Sequence, residues 1–191
     1  IIMVLILMGF VAFGRPFVIL WAGSEYADAY IITLLFFISL YIPLIQNLGI
    51  TILQARNQMK FRSIAYIIIA LFALLFQYIF AKMWGAVGCA IAVSGALLIG
   101  QGLVMNIYYK VMQNLAIGQF WKQILMMDIT PTVVTIVFVF ILKDREITTW
   151  ASFLSWVFVY AIVYVPLFYL FSMNKDEKRL MLGPARKLLR R

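Results

Sequence analysis

The sequence contains no histidine and only one cysteine, Cys89, among its 191 residues. Without histidine the chain cannot form a Ser-His-Asp triad, and with one thiol it has almost none of the ligands that zinc or haem iron requires. A single cysteine also permits no internal disulfide. We therefore expect no catalytic residues, no metal and no cofactor, and predict that the protein is not an enzyme.

Charged residues are scarce as well. They make up 12% of the chain, whereas 65% of the residues are hydrophobic and the mean hydropathy is +1.02. Soluble domains typically have about 25% charged and about 45–50% apolar residues, and a globule of this size has too little interior to bury the excess. The composition excludes a soluble enzyme, a nucleic-acid-binding protein and a disordered segment, and it predicts an integral membrane protein.

The lengths of the apolar runs predict the fold class. A helix needs about 20 apolar residues to cross the hydrocarbon core, and the short alternating segments of a membrane barrel are absent. We therefore predict an all-α, polytopic bundle of six transmembrane helices. The six runs are residues 1–21, 29–54, 62–82, 82–110, 119–142 and 147–174.

The basic residues predict the orientation of these spans. Of the sixteen lysines and arginines, four (Arg15, Lys82, Lys143 and Arg145) lie in connections on one side, and the others lie on the opposite side. Cytoplasmic loops are enriched in Lys and Arg, so the tail at 175–191 is predicted to be cytoplasmic and to rest on anionic membrane lipids. Because the sequence opens at Ile1 inside an apolar run, without signal-peptide features, we expect a fragment cut within a membrane helix.

Two charges fall at membrane depth, where charged residues are candidates for function by default. Arg15 precedes Pro16 and lies about eight residues, or roughly 12 Å of helix, before Gly23. It either binds an anionic group such as a phosphate or extends its long side chain to the outer headgroups. Asp128 lies inside the fifth run, where Pro131 predicts a kink, and is either a proton site or an interfacial carboxylate near Lys122.

The second run carries the strongest polar cluster. Beyond Pro43 and Gln46, the side chains of Asn47, Thr51 and Gln54 follow helical spacing on one face. Amide groups facing lipid would lack hydrogen-bond partners, so this face meets either other helices or a wet cavity. In the fourth run a stripe of small residues recurs every four positions and predicts close helix packing. Its members are Gly88, Ala92, Ala96 and Gly100.

Several short segments, in order, resemble the C-terminal part of polysaccharide (O-antigen type) flippases of the multidrug/oligosaccharidyl-lipid/polysaccharide exporter superfamily. They lie within about residues 9–125; the last two runs are similar in hydropathy and length alone. The segments are GRPF (14–17), LWAG (20–23), YADAY (26–30), IPLIQNLGI (42–50), LQARN (53–57), KFRS (60–63), WGAVGCA (84–90) and MNIYY (105–109).

This resemblance implies a fourteen-helix, two-lobed transporter of the cell inner membrane, of which this chain would be helices nine to fourteen. Residues 1–110 would be the last four helices of the C-terminal lobe, 111–174 two further transmembrane helices and 175–191 the cytoplasmic tail. The implied substrate is an undecaprenyl-pyrophosphate-linked oligosaccharide, flipped to the outer leaflet together with the N-terminal lobe, which is absent from the sequence. Arg15, Asn47, Thr51 and Gln54 would line the cavity.

Two other functions are open at this point. A cation-coupled multidrug exporter of the same superfamily would need a buried carboxylate in these spans, and only Asp128 is available. A non-transporting scaffold of a polysaccharide-synthesis complex would tolerate changes at Arg15 and Asn47.

Overall fold

Apolar helices form nearly all of the chain that the structure describes. The computed structural model describes residues 2–143, 145, 147–173 and 178, and these contain no β-strand. The predicted basic tail, apart from Lys178, lies outside them. In chain order, the α-helices are α1 (Ile2–Ala22), α2 (Asp28–Ile45), α3 (Asn47–Ala55), α4 (Lys60–Leu97), α5 (Asn106–Val111), α6 (Ile117–Leu142) and α7 (Trp150–Leu167). Short π-helical segments follow α4 (Leu98–Met105) and α7 (Phe168–Ser172).

Among the described residues, five helical segments are long and apolar enough to cross a membrane. They are Met3–Ala22, Ser24–Ile45, Lys60–Val111, Ile117–Leu142 and Trp150–Ser172. Large apolar side chains point outward from them, and Trp21, Phe140 and Phe171 are 73%, 70% and 72% exposed. Monomeric soluble proteins rarely expose apolar surface on this scale. The all-helical fold is confirmed, and the chain has the character of a multi-pass membrane protein.

The chain divides into two compact units, Ile1–Gln119 and Phe120–Arg191. In the first unit α1 and α2 lie side by side. The Tyr30 hydroxyl donates a hydrogen bond to the Val11 carbonyl at 3.3 Å, and the Phe10 ring stacks on Tyr30 and meets the edge of Phe37. In the second unit α6 packs on α7 through Phe138 and Tyr160, whose ring centroids are 5.0 Å apart.

The second apolar run is two helices, because the backbone leaves the helical conformation at Gln46 (φ −78°, ψ 9°). The proline at position 43 lies just before this break and has no N–H with which to bond the carbonyl of Ser39. By contrast, α6 continues through Pro131 as a single helix, as predicted.

The third and fourth runs form one candidate segment of 52 residues, so five candidate spans stand where the sequence predicts six. Such a segment would be about 78 Å long if it were straight, against a hydrocarbon core of about 30 Å. It is not straight, because Trp84 (φ −131°, ψ 15°) and Gly85 (φ 57°, ψ −133°) interrupt the helix. Gly85 adopts a backbone conformation that residues with a side chain rarely reach.

The two halves of this segment fold back on each other around Gly85. The Phe61 and Tyr108 rings stack with centroids 4.0 Å apart, and Arg62 bonds to Tyr109. Further along, a Cβ placed on Gly100 would overlap the Ile69 side chain. These contacts pair positions symmetrically about residue 85, so the segment is an antiparallel helical hairpin. We call residues 60–83 its first arm and residues 86–111 its second arm.

Candidate functional site

The polar face predicted on the second run lies on α3 and is exposed. Asn47, Thr51 and Gln54 are all exposed, and the Thr51 hydroxyl donates to the Asn47 carbonyl at 3.1 Å. The opposite side of α3 carries Leu53, which is completely buried. The polar face therefore does not bind the neighbouring helices of its own unit and is available to water or to another surface.

Arg15 is exposed on α1 and lies close enough to Tyr30 to interact with it electrostatically. The α2 helix then carries the chain from Tyr30 to the break before Asn47, about 25 Å away at 1.5 Å per residue. The structure consequently places Arg15 and the α3 face near opposite ends of the first unit and does not bring them together.

Buried polar contacts in the first unit join the α2–α3 region to the end of the second arm. Gln46 is 4% exposed, and its Nε2 donates to the Asn106 Oδ1 at 2.8 Å. The Asn106 amide in turn donates to the Gly102 carbonyl. Beside them, Gln113 accepts a hydrogen bond from Arg56 at 2.7 Å and donates one to Gln58 at 2.6 Å.

Other buried polar atoms in this unit form no hydrogen bond within the described residues. They are Gln46 Oε1, Ser94 Oγ and both amide atoms of Gln101, and Ser94 and Gln101 are each 1% exposed. An unpaired buried donor or acceptor costs about 1–3 kcal/mol. We call the side chains of Gln46, Ser94 and Gln101 the polar seam.

Gln46 lies where α2 contacts the second arm, and Ser94 and Gln101 are buried on that arm. A Cβ on Gly102 would lie 3.2 Å from the Ile42 side chain, and one turn later Gln46 bonds to Asn106. The two helices therefore run parallel at this contact. Ser94 lies seven residues before Gln101, which is two helical turns on the same face. The seam can bind water or a hydroxyl-rich molecule through hydrogen bonds.

A buried arginine lies where the two arms meet, near the turn between α3 and α4. Arg62 is 7% exposed, and its guanidinium donates to the Tyr109 hydroxyl at 3.0 Å and to the Tyr66 hydroxyl at 2.6 Å. The guanidinium carbon also lies 4.9 Å from the centroid of the Tyr66 ring. Both hydrogen-bond partners are phenols, so no carboxylate among the described residues balances this buried charge.

In the second unit, Asp128 is half-buried in the middle of α6 and interacts electrostatically with Tyr164. The Tyr164 hydroxyl is buried without a hydrogen bond in the described part of the chain. Two turns after Asp128 on α6 and one turn before Tyr164 on α7, the hydroxyls of Thr135 and Tyr160 lie 2.9 Å apart. Asp128 therefore lies beside a tyrosine pair rather than at an isolated position.

Within the described residues, no group of three or more His, Cys, Asp or Glu side chains could hold a metal ion. The polar and basic side chains described above can bind a ligand through hydrogen bonds and positive charge. No family model, curated protein or solved structure is significantly similar to this chain.

Several polar residues in these contacts do not belong to the site predicted from the sequence. Gln101, Ser94 and Arg62 are buried and Asn106 is half-buried, whereas the predicted Arg15 and α3 face are exposed. A usable signal was present, because Ser94 and Gln101 are polar residues two turns apart within an apolar run. Their burial depends on helix register, which hydropathy does not provide.

Proposed function

We propose that this chain is part of a membrane transporter that flips an undecaprenyl-pyrophosphate-linked oligosaccharide to the outer leaflet. The observation that supports this most is the polar seam. Unpaired polar groups between membrane helices are expensive, and they are expected where helices line a path for a polar substrate. The order of the flippase-like segments in the sequence supports the choice of substrate.

The proposed topology has six spans, with the two arms of the hairpin crossing separately. The turn at Gly85 and the stacking of Phe61 on Tyr108 support it, because together they return the chain to the side from which it started. With the excess of basic residues inside, the C-terminus is cytoplasmic, and the flippase resemblance makes the membrane the cell inner membrane. The six spans are then helices nine to fourteen of a fourteen-helix transporter.

Arg15 and the exposed α3 face are the proposed substrate contacts. Arg15 would receive the pyrophosphate, since a guanidinium binds phosphate oxygens in a bidentate manner. Asn47, Thr51 and Gln54 would bind sugar hydroxyls closer to the other side of the membrane. Their exposure is what a face turned toward the other lobe of a transporter requires, and the separation of the two places is compatible with alternating access.

The test uses the complete transporter in cells that make the lipid-linked oligosaccharide. We expect Arg15→Ala to lower the amount of oligosaccharide at the outer face at least tenfold. Lys82→Ala is the matched control, since it removes another cation assigned to the outer side, and it should leave export unchanged. Unchanged export in Arg15→Ala would show that Arg15 is not part of the site. Unchanged export in cells that lack the protein would refute the flippase function.

The environment of Asp128 favours a second candidate, a cation-coupled multidrug exporter. A half-buried carboxylate beside the unpaired Tyr164 hydroxyl is a plausible place to take up a proton. If the complete protein extrudes dye and the Asp128→Asn variant does not, the result would support that function over the flippase. A scaffold in a polysaccharide-synthesis complex would instead tolerate both Arg15→Ala and Asn47→Ala.

A further inference from the structure

An apolar groove of about 510 Å³ lies between the two arms of the hairpin. The first arm contributes one continuous face to it, which begins at Ile68 and includes Phe72 and Phe80. From Ile68 to Phe80 the helix rises about 18 Å, slightly more than the hydrocarbon depth of one leaflet, which is about 15 Å. We call this space the hairpin groove.

The second arm lines the hairpin groove mainly with small residues, including Ala92, Gly95 and Gly100. A Cβ added to Gly95 would meet no atom within 4 Å, so the space in front of it is open. Because the lining is apolar, water would not fill the groove. A volume of about 510 Å³ suits a single hydrocarbon chain better than a helix about 10 Å across.

Positive charge is concentrated at one end of this groove. Tyr66 lies two residues before Ile68, where the groove lining begins, and its hydroxyl accepts a hydrogen bond from Arg62. Two donors of the Arg62 guanidinium are used by phenols, whereas a guanidinium has five N–H groups. Lys60 is exposed at the start of the same arm, and Lys110 is exposed at the end of the other.

The buried charge of Arg62 calls for an anion. Isolating a charge from water without a counter-ion is costly, and Arg62 has no carboxylate partner among the described residues. A soluble anion would neutralise the charge of Arg62 but would leave the hairpin groove empty. An anionic lipid can do both, because its phosphate can bind Arg62 while its hydrocarbon chain fills the groove.

We propose that the hairpin binds one anionic phospholipid, with the phosphate held by Arg62 and one acyl chain lying in the hairpin groove. The lipid fills the space between the two arms and packs against both of them. This inference does not depend on the proposed transport function, and its test needs no transport.

The experiment measures lipid binding to the purified full chain in detergent by native mass spectrometry. The probes are phosphatidylglycerol, phosphatidylcholine with the same acyl chains, and inorganic phosphate. We expect one phosphatidylglycerol to bind at least tenfold more tightly than phosphatidylcholine, and inorganic phosphate not to displace it. Equal binding of the two lipids, or displacement by phosphate, would overturn the proposal without any variant.

Two variants locate the lipid. Arg62→Gln removes the charge, and Gly95→Leu fills the open space in the groove; each should weaken phosphatidylglycerol binding about tenfold or more. Lys82→Gln and Gly9→Leu are the matched controls, since Lys82 lies near the Gly85 turn and Gly9 is a helical glycine of α1 with no atom within 4 Å of an added Cβ. Full binding in Gly95→Leu would place the acyl chain elsewhere. If Arg62→Gln loses its helical circular dichroism, Arg62→Lys replaces it and should keep most of the preference for phosphatidylglycerol.

Discussion

The Arg62 guanidinium donates a hydrogen bond to the Tyr109 hydroxyl at 3.0 Å, and this bond joins the two arms of the hairpin across 47 positions of sequence. Tyr109 is 1% exposed and packs in a small core with Leu53, Ala65 and Met105. The bond therefore connects a buried charge to the part of the first unit where α3 and both arms meet.

Tyr109→Phe removes this acceptor and leaves the ring in place. We expect it to lower the free energy of unfolding by about 1–2 kcal/mol, because a buried charged donor loses a partner. Thermal unfolding in detergent measures the loss. The neighbouring Tyr108→Phe is the control, since Tyr108 packs through its ring against Phe61 and its hydroxyl has no hydrogen bond within the described residues. Equal losses in both variants would show that the Arg62 bond is not the cause.

Gly85→Ala should destabilise the hairpin turn. The backbone conformation of Gly85 (φ 57°, ψ −133°) costs a residue with a side chain about 1–3 kcal/mol, although an added Cβ would meet no atom within 4 Å. The effect is expected as a lower unfolding temperature in detergent. Gly9→Ala makes the same change inside α1, with equally open space, and should be neutral or slightly stabilising. A stable Gly85→Ala variant would contradict the turn geometry.

The two buried glutamines of the polar seam should respond in opposite directions to the same substitution. Gln101→Leu removes two unpaired polar atoms, so we expect an increase of about 1 kcal/mol or more in the free energy of unfolding. Gln46→Leu removes the partner of Asn106 and should decrease it by a similar amount. Chemical unfolding of both variants in one detergent checks the sign. If Gln101→Leu also lowers export by the proposed transporter, the seam has a functional role. A destabilised Gln101→Leu would mean that its amide has partners in the folded protein.

How much could be predicted from the sequence differs between the helices and their contacts. Run length predicts where α6 and α7 lie, since burial in lipid requires an unbroken apolar segment whatever its neighbours are. Gln46 shows the limit: its partner Asn106 is 60 positions away, and only the packing of α2 on the second arm brings them together. Hydropathy shows that one face of α3 is polar, but it does not show what lies opposite that face. The exposure of the predicted polar residues on α3 therefore could not be predicted from the sequence.

In the second unit, Thr135→Val should destabilise the contact between α6 and α7. The Thr135 hydroxyl lies 2.9 Å from that of Tyr160, which is 4% exposed and would lose this hydrogen bond between the two helices. We expect a loss of about 1 kcal/mol, as is typical for hydrogen bonds between membrane helices. Thr132→Val is the control, because the Thr132 hydroxyl bonds to the backbone of its own helix at Asp128. A larger loss in Thr132→Val than in Thr135→Val would contradict this assignment.

Cysteine labelling tests whether the hairpin crosses the membrane twice. In a Cys89→Ser background, which removes the one native thiol, Lys60→Cys and Lys82→Cys place single thiols near opposite ends of the first arm. Twenty-two residues of helix span about 33 Å, enough to cross the hydrocarbon core. We therefore expect a membrane-impermeant maleimide added outside intact cells to label Lys82→Cys alone, and Lys60→Cys to react only after the membrane is opened. Lys110→Cys, at the end of the second arm, should behave like Lys60→Cys. Labelling of Lys60→Cys and Lys82→Cys from the same side would mean that the arm does not cross, and the chain would then have fewer than six spans.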